Sequence, residues 1–181
     1  MELSKKTQRK KRRRYGLNKN KYLLDPEYNR LQASLVRFRL KEPRNVLALT
    51  MALKTGARAQ ELLNLKKSDL NFYDQTVYIE GIKGSDDREL PLETGFFSEI
   101  EAFVSQMDLS DHLFSISYHR LRQIWQDYRP VEKKLHCLRH TFAIRLYKKT
   151  KDIRLLQIAL GHRNITNTMI YADYAYSQTE L

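Results

Sequence analysis

A chain of 181 residues is long enough to bury a core without staples, and its single cysteine, Cys137, excludes an intramolecular disulfide and points to a reducing, cytoplasmic setting. No apolar run is long enough to span a bilayer and no apolar signal core opens the chain, so a membrane is not expected as a partner. The net charge of +12 is unevenly spread: residues 1–22 hold ten basic side chains, among them Lys10, Lys11, Arg12, Arg13 and Arg14, against Glu2 alone, leaving only +3 for the other 159 residues.

That tail repels itself and has little to bury, so it is expected to be disordered until it meets a polyanion, with nucleic acid the first choice and an anionic membrane surface or plain solubility the lesser alternatives. After it, Asp25-Pro26-Glu27 reads as N-cap, first-turn proline and first-turn acid of a helix running to about Leu40. Pro43 opens a second helix with a buried stripe of Val46, Leu47, Leu49, Thr50 and Leu53, stopped by Gly56. A short helix follows over about Arg58 to Leu63. From Asp69 to Leu92 the period changes to two, predicting antiparallel strands at 76–80 and 88–92 around a turn at 81–87, with a third strand near Leu70. The helical period then returns at about 96–106, 117–128, 136–149, 152–159 and 164–173. No internal repeat or Gly/Ser/Pro linker breaks the chain. The expected fold class is mainly α with a small antiparallel β-sheet, an α+β arrangement.

Breaking a phosphodiester without hydrolysis takes an oxygen nucleophile, cations on the non-bridging oxygens, and an acid for the departing oxygen. Arginine suits the second task because its planar fork grips two oxygens and stays charged. His136 and Arg139, three apart on a predicted helix, share a face and can reach one phosphate, although an exposed basic face is the plain alternative. His136 and His140, four apart, also have the spacing of a metal pair, but Cys137 stands where a zinc-protease helix would carry its glutamate.

Five segments in order give a more specific signal. Thr55-Gly56-Ala57-Arg58-Ala59-Gln60-Glu61-Leu62, the hairpin Lys83 to Leu92, His136-Cys137-Leu138-Arg139, Leu160-Gly161-His162-Arg163-Asn164-Ile165, and Thr168-Met169-Ile170-Tyr171 together resemble the tyrosine recombinase, or phage integrase, family. The resemblance spans about residues 43 to 173, and short members used in fimbrial phase switching share the Leu-Gly-His-Arg-Asn-Ile wording. It implies a tyrosine recombinase catalytic-domain-like helical fold and cleavage and rejoining of double-stranded DNA through a covalent 3′-phosphotyrosine. By the same resemblance Arg58, Arg139 and His162 bind the scissile phosphate, His136 helps take the proton of the nucleophile Tyr171, Lys83 protonates the leaving 5′-oxygen, and Glu61 orients Arg58 or a neighbouring histidine. Tyr174 and Tyr176 are the rival nucleophiles. No cofactor is implied, neither ATP nor metal, because the phosphotyrosyl bond conserves the energy of the broken one.

The expected organisation is a tail at 1–22 and one catalytic domain at 23–181. Only 57 residues precede Arg58, too few for the N-terminal core-binding domain with which full-length relatives clamp DNA, and the basic tail is the natural substitute. The resemblance also implies a tetramer on paired DNA sites and accessory DNA-bending proteins as further partners. A non-cleaving DNA-binding protein of the same fold and a DNA-relaxing topoisomerase are the competing readings, and integration, excision and inversion all remain open.

Overall fold

The computed structural model describes residues 16–82 and 84–179, the last three by backbone only. Among these residues eight α-helices and three short strands follow one another: α1 (Asp25–Phe38), α2 (Pro43–Thr55), α3 (Ala59–Asn64), β1 (Leu70–Asn71), β2 (Thr76–Ile79), β3 (Arg88–Pro91), α4 (Thr94–Val104), α5 (Tyr118–Tyr128), α6 (Cys137–Thr150), α7 (Ile153–Leu160) and α8 (Thr166–Thr179), with one 3-10 turn at Lys67–Asp69. The mainly helical α+β class is as the sequence predicts. Among the described residues no helix is long and apolar enough to cross a membrane.

Three local expectations need correction. The N-cap of α1 is Leu24, one residue earlier than expected, because the Glu27 carboxylate accepts the Leu24 N–H at 2.8 Å and so supplies the cap from inside the first turn. Helix α2 carries no one-sided stripe: Asn45 to Leu49 and Met51 to Leu53 are all buried, which makes it a central helix packed against α1, α3, α4 and α6. Helix α8 continues to Thr179, beyond the expected end at 173.

The sheet has the order β1-β2-β3, antiparallel throughout, with Leu70 opposite Val77 and Ile79 opposite Arg88. Val77 and Ile79 face the core, and this phase carries Arg88 inward as well. Two apolar cores result. The larger joins α1 to α5, the sheet and the first turn of α6; the smaller gathers Tyr22, Ala143, Ile144, Tyr147, Leu156, Leu160, Tyr171, Ala172 and Ala175. Helix α6 runs through both.

The boundary of the basic tail also moves. Tyr22 is buried in the smaller core with its hydroxyl 3.0 Å from that of Tyr174. The nearly buried Lys133 ammonium donates to the carbonyls of Lys19 (3.0 Å) and Tyr22 (2.7 Å) and to Glu27 (2.5 Å). Residues 16–22 thus belong to the folded body. Lys10, Lys11, Arg12, Arg13 and Arg14 lie outside the described residues.

Candidate active site

Gly56 ends α2 in the left-handed region (φ 62°), where a Cβ would run into the Phe142 ring, and the chain turns so that Arg58 caps α3. Arg58 donates its main-chain N–H and its Nη1 to the two oxygens of Glu61, both at 2.8 Å, and Nη1 also donates to Ser85 Oγ on the hairpin. Glu61 is buried beneath them. From the opposite side Arg88 donates Nη2 to Glu61 Oε2 at 2.7 Å, and Arg139 Nη1 stands 3.9 Å from the same oxygen. One buried carboxylate therefore serves three arginines.

Arg139, itself buried, is fixed by main chain from two directions: Nη1 donates to Gly56 O at 2.6 Å and Nη2 to Leu160 O at 2.7 Å. Its Nη2 also lies 3.1 Å from His162 Nε2. A guanidinium only donates, so Nε2 accepts, and the ring's proton sits on Nδ1, 2.9 Å from Thr168 Oγ1. Gly161, at φ 63°, lets the α7–α8 turn press against the hairpin: a Cβ there would sit 2.5 Å from Asp86 O. Asp86 N–H donates to Gly161 O at 3.0 Å, and Arg163 Nε donates to the Asp86 carboxylate at 2.9 Å.

Tyr171 projects from α8 into this junction at 2% exposure, with its hydroxyl 2.9 Å from His140 Nδ1. The rings of His136 and His140 meet edge to face at 4.7 Å. Arg58, His136, Arg139, His140, His162 and Tyr171 line one cavity of about 960 Å³, together with Gly16.

Burial alone would raise the Glu61 carboxyl, but the hydrogen bond and charge of Arg88, then those of Arg58, outweigh it and hold the group below its ordinary range. Burial, helped by Arg58, pushes Arg139 down to about 9, which leaves it charged at neutral pH. The imidazoles are depressed by burial first and by neighbouring cations second: His162 to about 4 through Arg139 and Arg58, His140 to about 3 through His136 and Lys21, and His136 in the same direction through Arg139 and Arg58. Three guanidinium charges against one carboxylate, beside neutral rings, make a pocket that favours an anion able to accept several hydrogen bonds.

Residues 21–178 match the model of the phage integrase family. The chain belongs to the phage integrase family. As a member it is 34% identical over 142 residues to tyrosine recombinase XerA of Pyrococcus horikoshii, covering 71% of this chain and 50% of that protein. It is 30% identical over 183 residues to tyrosine recombinase XerC of Staphylococcus aureus, covering 88% and 60%. The catalytic domain of bacteriophage HP1 integrase superposes with a TM-score of 0.64 at 25% identity, over 88% of this chain and 90% of that domain. The XerH site-specific recombinase in a pre-cleavage complex with its difH substrate gives 0.65 at 25%, over 87% and 52%. The chain spans about half the length of the first of these relatives.

For this family member, the expected residues Arg58, His136, Arg139, His162 and Tyr171 come together at the cavity, with Glu61 directly beneath. Of the three C-terminal tyrosines only Tyr171 lines it among the described residues; the Tyr174 hydroxyl pairs with Tyr22, and Tyr176 is exposed. Lys83 lies outside the described residues. Sequence reasoning missed Arg88, whose signal is an arginine in the inward phase of a strand, where burial demands a carboxylate partner. It also left His140 as half of a metal pair. Among the described residues no three His, Cys, Asp or Glu side chains are grouped to hold an ion.

Proposed function

We propose that this chain cleaves and rejoins duplex DNA at specific sites through a covalent 3′-phosphotyrosine on Tyr171. The observation that carries the reading is the convergence on one cavity of Tyr171 with Arg58, Arg139, His136 and His162, drawn from segments more than 100 residues apart. In the cleavage step the Tyr171 oxygen attacks phosphorus and the P–O5′ bond breaks. The phenol proton passes to His136, whose depressed affinity keeps it neutral and able to accept, and the leaving 5′-oxygen takes a proton from Lys83. Arg58 and Arg139 hold the non-bridging oxygens through the added charge of the transition state. His162 joins them when the entering phosphate favours its second proton. Rejoining runs the step backwards with a 5′-hydroxyl as nucleophile, so the bond energy is conserved.

Each exchange between two duplexes breaks four strands and each chain carries one such tyrosine, which supports a tetramer on paired sites in the cytoplasm. The tail is read as a sequence-independent anchor. Gly16 is among the residues that line the cavity and Lys133 secures the segment that follows it, which supports this reading. The deciding experiment incubates the protein with a pool of nicked suicide duplexes of random sequence and analyses denatured products. A protein–DNA adduct mapped to Tyr171 is expected in the presence of EDTA; no adduct from any duplex overturns the reading.

A further inference from the structure

Helix α6 places two imidazoles one turn apart, and they stand differently toward the tyrosine. The family resemblance gives the proton of Tyr171 to His136. It is the second ring, His140, whose Nδ1 lies 2.9 Å from the Tyr171 hydroxyl, with His140 at 5% and Tyr171 at 2% exposure. We propose that His140 is a further positioning residue for Tyr171: its unprotonated Nδ1 accepts the hydrogen bond of the Tyr171 hydroxyl and so sets where the nucleophilic oxygen stands before a phosphate arrives. The inference rests on the reading of Tyr171 as nucleophile.

An imidazole nitrogen 2.9 Å from a phenol hydroxyl is an acceptor at normal hydrogen-bond length. The ring is neutral for a physical reason. Burial is the largest cause, and the groups facing it, His136 and Arg139 on α6, Lys21 from the N-terminal segment and His162 from the α7–α8 turn, all oppose its protonation and bring it to about 3. What distinguishes this ring from His136, whose basicity is depressed in the same direction, is its contact with the hydroxyl, the place of an orienting acceptor.

The scaffold suits this role. The preceding residue, Arg139, is bonded to Gly56 O and Leu160 O, so the backbone that carries His140 is fixed to both cores. Tyr171 sits on α8, which packs on α6 in the smaller core beside Ala143, Ile144 and Tyr147. The His140 bond thus joins the nucleophile's helix to the framework of the arginine site. Displacing a reacting atom by about 1 Å costs on the order of 10² in rate, so loss of this bond should appear in the chemical step rather than in DNA binding.

The test separates the hydrogen bond from the ring's bulk. In His140→Asn the amide oxygen falls near the place of Nδ1; in His140→Phe the volume stays and the acceptor goes. Single-turnover adduct formation on the nicked duplex recovered with the wild-type protein should slow about 10²-fold in H140F and by less than about 10-fold in H140N, with unchanged DNA affinity in both. In the free wild-type protein, 15N NMR of the His140 ring should show an unprotonated Nδ1 at pH 7 whose shift changes in Tyr171→Phe. A proton on Nδ1 at pH 7, wild-type rates in H140F, or equal losses in the two variants would overturn the assignment. Disappearance of the acid limb of the rate profile in H140N would make the ring the base and overturn it as well. Absence of any adduct from the wild-type protein would instead bring down the nucleophile reading, while the ring spectra would still judge the hydrogen bond.

Discussion

The larger core presents Arg58 and Arg139 on a framework cross-linked through one buried carboxylate, whereas the smaller core presents Tyr171 on a helix whose buried side chains include two alanines and whose polar ties are uncharged. A buried Leu or Phe contributes about 1.5–3 kcal/mol and an alanine methyl about 0.8 kcal/mol. Helix α8 is therefore docked with less energy per residue than α2, and it leaves Ile165 beside its start and Met169 on its own surface about 40% exposed. The comparison teaches that buried charges need a stiff network to stay in place, while the uncharged phenol of Tyr171 is held by shape and by neutral hydrogen bonds, such as those at His140 and at Thr168 on the same helix.

The sharpest test of the division is to remove one oxygen. Tyr171→Phe should abolish covalent adducts while leaving DNA binding within about twofold, measured by denaturing gels and by filter binding; adducts that persist would move the nucleophile to Tyr174 or Tyr176. On the other side, Arg58→Ala and Arg139→Ala should each slow adduct formation by on the order of 10² or more, as loss of a transition-state donor does.

Stability measurements then compare the two scaffolds directly. Glu61→Ala strips the counter-charge from Arg88 and Arg58 and should cost about 3–5 kcal/mol in urea unfolding. Ala172→Gly in α8 should cost about 1 kcal/mol. Equal losses would erase the contrast drawn above.

Acid should loosen the nucleophile side first. The rings of His140 and His162 titrate at 6.5 when unperturbed and are pushed to about 3 and about 4 in the fold, so between about 4 and 6.5 the unfolded chain binds more protons than the folded one. Their contribution is complete above 6.5 and is lost as pH falls through that window. Urea midpoints at pH 7.5 and pH 5 should differ accordingly, with a smaller difference in His140→Asn; a pH-independent midpoint would contradict buried neutral rings.

The smallest effect concerns the tail. Deleting residues 1–15 removes eight basic side chains and spares the packed segment that follows. If half of them meet phosphates, the slope of log affinity against log salt should flatten by about 3.6, because each contact contributes about 0.9. An unchanged slope would show that the tail is no anchor.

What the sequence made legible was local. His136 and Arg139 declare themselves by helical spacing, Gly56 and Gly161 by their stop positions, and the hairpin by its change of period, because each signal lies within one or two turns of chain. The hydrogen bonds that organise the site are long-range. Glu61 to Arg88 spans 27 residues, His140 to Tyr171 spans 31, and Arg139 to Gly56 spans 83, and no periodicity encodes which polar group closes on which. The tail boundary was misplaced for the same reason: Tyr22 reads as the end of a basic stretch until Tyr174 and Lys133 are seen to hold it.

The fork of Arg139 across Gly56 O and Leu160 O makes the two cores interdependent. A molecule in which the smaller core has melted keeps an arginine cradle with no nucleophile, and one in which the larger has melted keeps a tyrosine with no grip on phosphate. Under the proposed chemistry, damage by heat, acid or incomplete synthesis therefore produces inert protein rather than a stray nickase. Under that reading the arrangement acts as a fail-safe.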